Sequence, residues 1–176
     1  MITVGSATVL AAACSGSPQE PVRGEFHELP ADNVMTDVIF RPTSEGVRSA
    51  VLRSDTVYVY EDSAEYKLVG VDLEMFDENG RSTATLTSER GAFNTATEQM
   101  VALGDVVLIT LEEERRIETE ELHYDPSSRR VWSDVPTVMH TKDGPQRGTS
   151  FRADDQFRNV TVVGFQGRIP GLRLDF

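Results

Sequence analysis

The single thiol of the chain, Cys14, has surroundings that indicate chemistry. It follows Leu10-Ala11-Ala12-Ala13, and this run matches the bacterial lipobox, in which cleavage before the cysteine leaves its amino group and thiol free for acylation. The uncharged stretch Ile2–Ala13 has the size of a signal-peptide core and is too short to span a bilayer. We therefore expect a lipoprotein signal peptide over residues 1–13 and a lipid on Cys14. The alternative is a buried free cysteine in a small apolar helix.

Other residue types that do chemistry fall into no catalytic pattern. His123 and His140 are isolated in the sequence, His27 lies in a polar segment, and neither H-E-x-x-H nor G-x-S-x-G occurs. The GxxxxGK[ST] loop of nucleotide hydrolases is also missing from the sequence. The sequence thus predicts a protein that is not an enzyme, with no cofactor and no metal site.

The charge balance excludes two classes of partner. The chain has 29 acids against 17 bases, a formal net charge of -12. Neutralising phosphates requires Lys and Arg, so we expect neither nucleic-acid binding nor adsorption to an anionic membrane surface. An anionic ligand would then be held through its apolar parts, and membrane attachment would come from the N-terminal anchor.

A repeated four-residue pattern predicts the first strand of each of several β-hairpins. An apolar residue, any residue, a small residue and an acid occur at Leu52–Asp55, Leu86–Glu89, Ile117–Glu120 and Phe151–Asp154, with starts 34, 31 and 34 residues apart. In the first three copies, an alternating apolar or small pair begins three residues after the small residue. Because strand side chains alternate in direction, this odd offset predicts a β-bulge that keeps both pairs on one face and points the acid outward.

The rest of each repeat predicts a second apolar strand. These strands are expected at Tyr66–Phe76, Met100–Thr110, Val131–His140 and Val160–Phe165, with an opening strand at Asn33–Phe40. Glycines and a proline inside the second strands predict bends that curve the sheets; they are Gly70, Gly104, Pro136 and Gly164. The expected fold is all-β, a twisted open β-jellyroll of about eight to ten strands in repeated antiparallel hairpins. It would occupy residues 33–167, between a flexible tether at 14–32 and a C-terminal tail at 168–176.

Three short motifs resemble a known family. They are Ala102–Val106 with its Gly-Asp pair, Leu122–Asp125, and Ser133–Val138, and together they are similar to the OstA-type β-jellyroll. With one N-terminal anchor and one short domain, the chain resembles the LptC family of periplasmic lipopolysaccharide export proteins over roughly Asn33 to Phe165. Gly148 matches a glycine that the family keeps before its last hairpin.

The resemblance implies a non-enzymatic lipopolysaccharide carrier. Such a protein takes the lipid from the inner-membrane Lpt ABC transporter and passes it to a periplasmic, LptA-like bridge protein by docking of edge strands. Acyl chains would lie in an apolar slot, at roughly 0.8 kcal/mol per buried CH₂. The chain would be periplasmic and lipid-anchored to the inner membrane. The predicted slot residues are Leu86, Phe93, Leu103, Val106, Leu108, Leu122, Tyr124, Val131, Val138, Phe151, Val160 and Val162.

Other interpretations of the same residues remain open. The slot residues could simply fill a closed β-core, as apolar strand residues usually do. Repeats near 30 residues are also compatible with a self-assembling β-repeat scaffold lipoprotein that carries no lipid. A third alternative is an outer-membrane lipoprotein with another lipid cargo.

Overall fold

The computed structural model describes residues 31–44, 46–60 and 63–164. All regular elements in these ranges are strands: β1 (Asn33–Phe40), β2 (Thr43–Ser44), β3 (Val47–Arg48), β4 (Ala50–Tyr60), β5 (Glu65–Phe76), β6 (Ser82–Asn94), β7 (Met100–Thr110), β8 (Arg115–Asp125), β9 (Arg130–Ser133), β10 (Thr137–Thr141), β11 (Gly144–Gly148), β12 (Ser150–Asp154) and β13 (Val160–Val163). The predicted all-β fold is confirmed. The predicted signal peptide, Cys14, most of the tether and the C-terminal tail lie outside the described residues.

One antiparallel sheet contains all strands except the small β2–β3 hairpin. Its order is β1-β4-β5-β6-β7-β8-β9-β12-β13, and β10 pairs with both β8 and β11. The predicted second strand at Val131–His140 is interrupted, because β9 pairs with the C-terminal part of β8 and β10 pairs with the N-terminal part. No helix among the described residues has the length and apolarity to cross a membrane.

The pairing register breaks along one line across this sheet. Between β4 and β5 the pairing skips Asp55 and Gly70, and between β1 and β4 it skips Asp37. Between β7 and β8 it shifts at Gly104 and Asp105. All of these residues except Asp55 have φ between +44° and +75°, which turns a strand sharply. We call this line the crease; it divides the sheet into a first half, which includes β10 and β11, and a second half, which includes β9, β12 and β13.

The crease is the predicted bulge. On β6, Leu86 and Ser88 are buried on one side of it, Gly91 is buried on the other, and the acid Glu89 between them is exposed. The same alternation, with the same change of parity, occurs on β4 and β8. The apolar positions of both halves therefore share one face of the sheet, the inner face, and the acids point away from it.

The small residue of the repeat satisfies backbone groups at the crease. The Ser54 hydroxyl donates to the carbonyl oxygens of Thr56 at 2.9 Å and Val69 at 2.8 Å, and the Ser88 hydroxyl donates to the carbonyl of Arg90 at 2.8 Å. A buried carbonyl left without a partner is costly, so a hydroxyl here replaces bonds that the broken ladder loses. A serine or threonine is short enough to do this within the core.

The acid of the repeat lies against a glycine of the next strand. A Cβ on Gly104 would meet Glu89 Oε2 at 2.6 Å, and a Cβ on Gly70 would collide with the Asp55 carboxylate. Both glycines also have positive φ, which a side chain disfavours. Acid and glycine are thus two parts of one bend.

Only three of the four copies of the repeat found in the sequence lie at the crease. Phe151–Asp154, the copy that lacks the following apolar pair in the sequence, lies wholly within β12 in the second half, with Ala153 in place of a hydroxyl residue. Two further matches were missed, Val34–Asp37 and Val131–Asp134, and both end at the break in the register. They run in the opposite direction across the sheet, which hides them from a search for equal spacing.

Candidate functional site

The inner face is the candidate site, and ten of the twelve predicted slot residues belong to it. Six of them are buried: Leu86, Val106, Leu108, Leu122, Val131 and Phe151. Four are partly buried and pack against the same cluster: Phe93, Tyr124, Val160 and Val162. The structure therefore brings these ten together, and their role in binding lipid stays a prediction.

Leu103 and Val138 are the exceptions. Leu103 pairs with Arg90 and Glu121, and Val138 pairs with Arg147 and Glu118; all these partners lie on the outer face. The prediction that both residues line the inner face is thus corrected. The physical reason on β7 is the residue that Gly104-Asp105 adds to this strand relative to its neighbours, which makes Ala102 rather than Leu103 the inward position. On β10, Thr137 and Met139 take the inward positions.

Two rows of cross-strand neighbours form most of the inner face. In the first half, the aliphatic row runs through Leu52, Leu73, Leu86, Leu108, Ile117 and Met139. In the second half, the apolar row runs through Val59, Tyr66, Phe93, Met100 and Tyr124, and continues through Val131 and Ala153 to Val160. Each row is continuous from strand to strand.

The two rows differ in exposure. All members of the aliphatic row except Leu73 are buried, and Leu108 and Ile117 are 1% and 0% exposed. The first five members of the apolar row are only partly buried, and the Tyr66 and Phe93 rings meet edge-on with centroids 6.4 Å apart. The first five members of the apolar row are therefore more open to solvent than the aliphatic row.

Tyr124 combines an apolar ring with a polar tip. Burial raises the pKa of its phenol first, and the negative charge of nearby Asp155 raises this pKa further. The group is thus neutral at physiological pH, and can donate a hydrogen bond at the end of an apolar surface.

Phe157 closes the inner face at one end and was missed in the sequence. It lies in the loop between β12 and β13, is 5% exposed, and belongs to the core cluster. Arg115, at the start of β8 in the first half, donates to its carbonyl oxygen at 3.2 Å. Asp154 holds the loop by accepting from Arg158 N at 2.9 Å and Asn159 Nδ2 at 2.6 Å. A lone aromatic in the polar segment Asp154–Asn159 gives no periodic signal.

Gly148 has a packing role at the end of the sheet. A Cβ at this position would meet the carbonyl oxygen of Val163 at 2.5 Å and collide with the side chain of Val162. Any other residue at the end of β11 would therefore push β13 outward. This close approach is a physical reason for glycine before the last hairpin.

The two histidines in the described ranges, His123 and His140, lie on the outer face among charged neighbours. His123 stacks on Trp132 with ring centroids 5.1 Å apart and contacts Glu121, while His140 lies 3.4 Å from Glu118. Within the described ranges, no three His, Cys, Asp or Glu side chains are grouped as a metal site requires.

Comparison with known proteins identifies the family. The family model described as lipopolysaccharide-assembly, LptC-related, matches residues 31–165, which include every strand of the sheet. A search of curated proteins found no match. The family acts in lipopolysaccharide transport and is associated with the periplasmic side of the inner membrane. This chain, with its all-β sheet folded at a crease, belongs to the LptC-related family and has a role in lipopolysaccharide transport.

Proposed function

We propose that the chain is a non-enzymatic carrier that shelters the acyl chains of lipopolysaccharide against the apolar row. The observation that carries this proposal is the partial exposure of five consecutive row members, from Val59 to Tyr124, whereas five of the six members of the aliphatic row are buried. Each CH₂ that leaves water for such a surface contributes roughly 0.8 kcal/mol. Several acyl chains would thus be held firmly even when only part of each is covered.

The ends of the sheet fit a role in handover. β1 and β13 are the terminal strands of its main path, so each has one edge with unpaired backbone groups. Such edges accept a strand from another protein. We infer that one edge meets the inner-membrane Lpt ABC transporter and the other meets an LptA-like bridge protein, with a lipid on Cys14 holding the chain at the inner membrane.

Photocrosslinking tests lipid binding with neighbouring positions as mutual controls. A photoactivatable residue at Phe93 or Met100 is expected to crosslink to lipopolysaccharide, whereas one at Val101, which follows Met100 and lies on the opposite face, is not. Phe93→Asp is expected to abolish crosslinking at Met100 while circular dichroism remains that of a folded β-protein. Equal labelling at Met100 and Val101, or none at either, would contradict the proposal.

A self-assembling scaffold is the second candidate, and one observation favours it. β1 exposes Val34, Met35, Ile39 and Phe40, each at least 41% accessible, beside its free edge. A scaffold would form larger species as protein concentration rises, without lipid, in analytical ultracentrifugation. A carrier would keep its size and copurify with lipid, which mass spectrometry would detect.

A further inference from the structure

A cavity of about 710 Å³ lies on the outer face at one end of the sheet, behind Val131 and Ala153 of the apolar row, because Arg130, Arg152 and Thr161 alternate with inward-facing residues. Both residues contribute to its wall, together with the turn before β9, the loop after β12, and Thr161 on β13. Four arginines also line it, and we call it the arginine pocket: Arg129, Arg130, Arg152 and Arg158.

Two of these arginines are engaged by acids. Arg129 binds both carboxylate oxygens of Asp155, at 2.8 and 3.2 Å. Arg152 pairs with Asp134 and donates to the carbonyl of Ser133 at 2.8 Å. These contacts fix the two guanidinium groups at the wall of the pocket.

The other two arginines keep their charge available. Asp125 and Asp154 lie opposite Arg130 in the register on the two neighbouring strands. The Asp125 carboxylate already accepts hydrogen bonds from Ser127 and Ser128, and the Asp154 carboxylate accepts from the loop after β12. Arg130 and Arg158 are exposed and form no ion pair with any residue in the described ranges. Their guanidinium groups are therefore free to take an anion.

The pocket reverses the charge of the molecule locally. Its lining has four arginines against Asp154 and Asp155, and Asp134 pairs with Arg152 beside it, so the local formal charge is +1, whereas the whole chain has a formal charge of -12. Arginine presents donors in a planar fork that matches the oxygens of a phosphate, and two such forks bind it more tightly than point charges would. A phosphate monoester is therefore a ligand that this lining favours.

The pocket and the apolar row lie on opposite faces and approach each other at one end of the sheet. Tyr124 is the second-last residue of β8, Arg129 immediately precedes β9, and Asp155 immediately follows β12. An amphiphile whose chains lie along the row would thus reach the arginines by passing its polar end around this end of the sheet.

We propose that the arginine pocket binds a phosphate monoester, and, resting on the proposed function, that this group belongs to the sugar head of the lipid whose chains lie on the apolar row. The net charge of the chain led us to expect that an anionic ligand is held only through its apolar parts. Under this proposal that expectation is wrong at the arginine pocket, because net charge does not report how the fold clusters individual arginines.

The first test uses a soluble phosphosugar and the full chain in nonionic detergent. Isothermal titration with glucosamine 6-phosphate is expected to show binding that weakens with salt, while glucosamine itself shows none. The double variant Arg130→Gln/Arg158→Gln is expected to weaken this binding about tenfold. The matched control, Arg41→Gln/Arg147→Gln, removes the same charge from exposed positions outside the pocket and is expected to change it less than about twofold.

The second test distinguishes the lipid head from a free phosphosugar. Binding of lipopolysaccharide to the chain is measured before and after phosphatase removes its phosphates. The unaltered chain is expected to prefer the phosphorylated form, and Arg130→Gln/Arg158→Gln is expected to lose this preference. The proposal that the pocket binds a phosphate would be overturned if the pocket and control variants weakened phosphosugar binding equally, or if the unaltered chain did not bind the phosphosugar. In either case, continued crosslinking of lipopolysaccharide at Met100 would leave the carrier role standing. Phosphosugar binding without any lipopolysaccharide binding would support the pocket and contradict the carrier.

Discussion

The two rows of the inner face are made by the same strands, on either side of the crease, and they differ in how far they are closed. The aliphatic row consists of Leu, Ile and Met, and is almost entirely buried. The apolar row contains Tyr66, Phe93, Met100 and Tyr124, which are larger or more adaptable and remain partly exposed. The comparison shows that the inner face is closed along the aliphatic row and partly open to solvent along the first five members of the apolar row.

The largest expected effect comes from truncating an apolar residue to alanine, on one strand, on either side of the crease. Leu108 and Met100 both lie on β7, in the aliphatic row and the apolar row respectively. Leu108→Ala should lower the free energy of unfolding by about 2–5 kcal/mol, because it opens a cavity in a closed core. Met100→Ala should cost less than about 1.5 kcal/mol, because solvent or neighbouring side chains fill the space. Urea unfolding of both variants measures the difference, and equal costs would mean that the halves are equally closed.

An intermediate effect is expected at the crease, which separates the two rows. Gly104→Ala adds a Cβ at φ +75°, against the Glu89 carboxylate, and should cost about 1–3 kcal/mol. Gly80→Ala is the control, since Gly80 has φ +74° in a turn with no atom within 4 Å of an added Cβ. Its cost should be smaller, because it includes the backbone strain without the collision. If thermal unfolding shows the two variants to be equally destabilised, the acid and glycine do not act together.

The smallest effect is expected from pH at the loop that closes the inner face. Burial opposes ionisation of Asp154, but hydrogen bonds from Asn159 and the backbone of Arg158 outweigh it and lower the pKa of this carboxyl. A lowered pKa stabilises the fold above the unfolded value, about 3.9, and this contribution is lost as pH falls through the folded value. Asp154→Asn should therefore be less stable than the parent at pH 6, and the gap should narrow as pH falls below about 4. A constant gap in urea unfolding from pH 6 to pH 3 would exclude the ionised carboxylate as the cause.

Local patterns predicted the strands and the bulge because they depend on alternation along the chain. Ser54 and Val57 are three residues apart, as are Ser88 and Gly91, so each pair shares a face only if a bulge interrupts the alternation of side chains. This spacing can be read directly from the sequence. The error at Leu103 arose within one strand, where Gly104-Asp105 adds a residue that the flanking strands lack. That difference is apparent only when β7 is aligned with its neighbours.

By itself, the sequence determined the all-β fold, the hairpin repeat, the bulge with its outward acid, and the resemblance to the LptC family, because each depends on short-range spacing. Only the tertiary structure decided which row is closed, that Phe157 covers one end, and that four arginines from β9, β12 and their adjoining loops line one cavity. These features depend on residues that are distant in the chain and meet through the register of the sheet, and no local pattern or average charge contains that information.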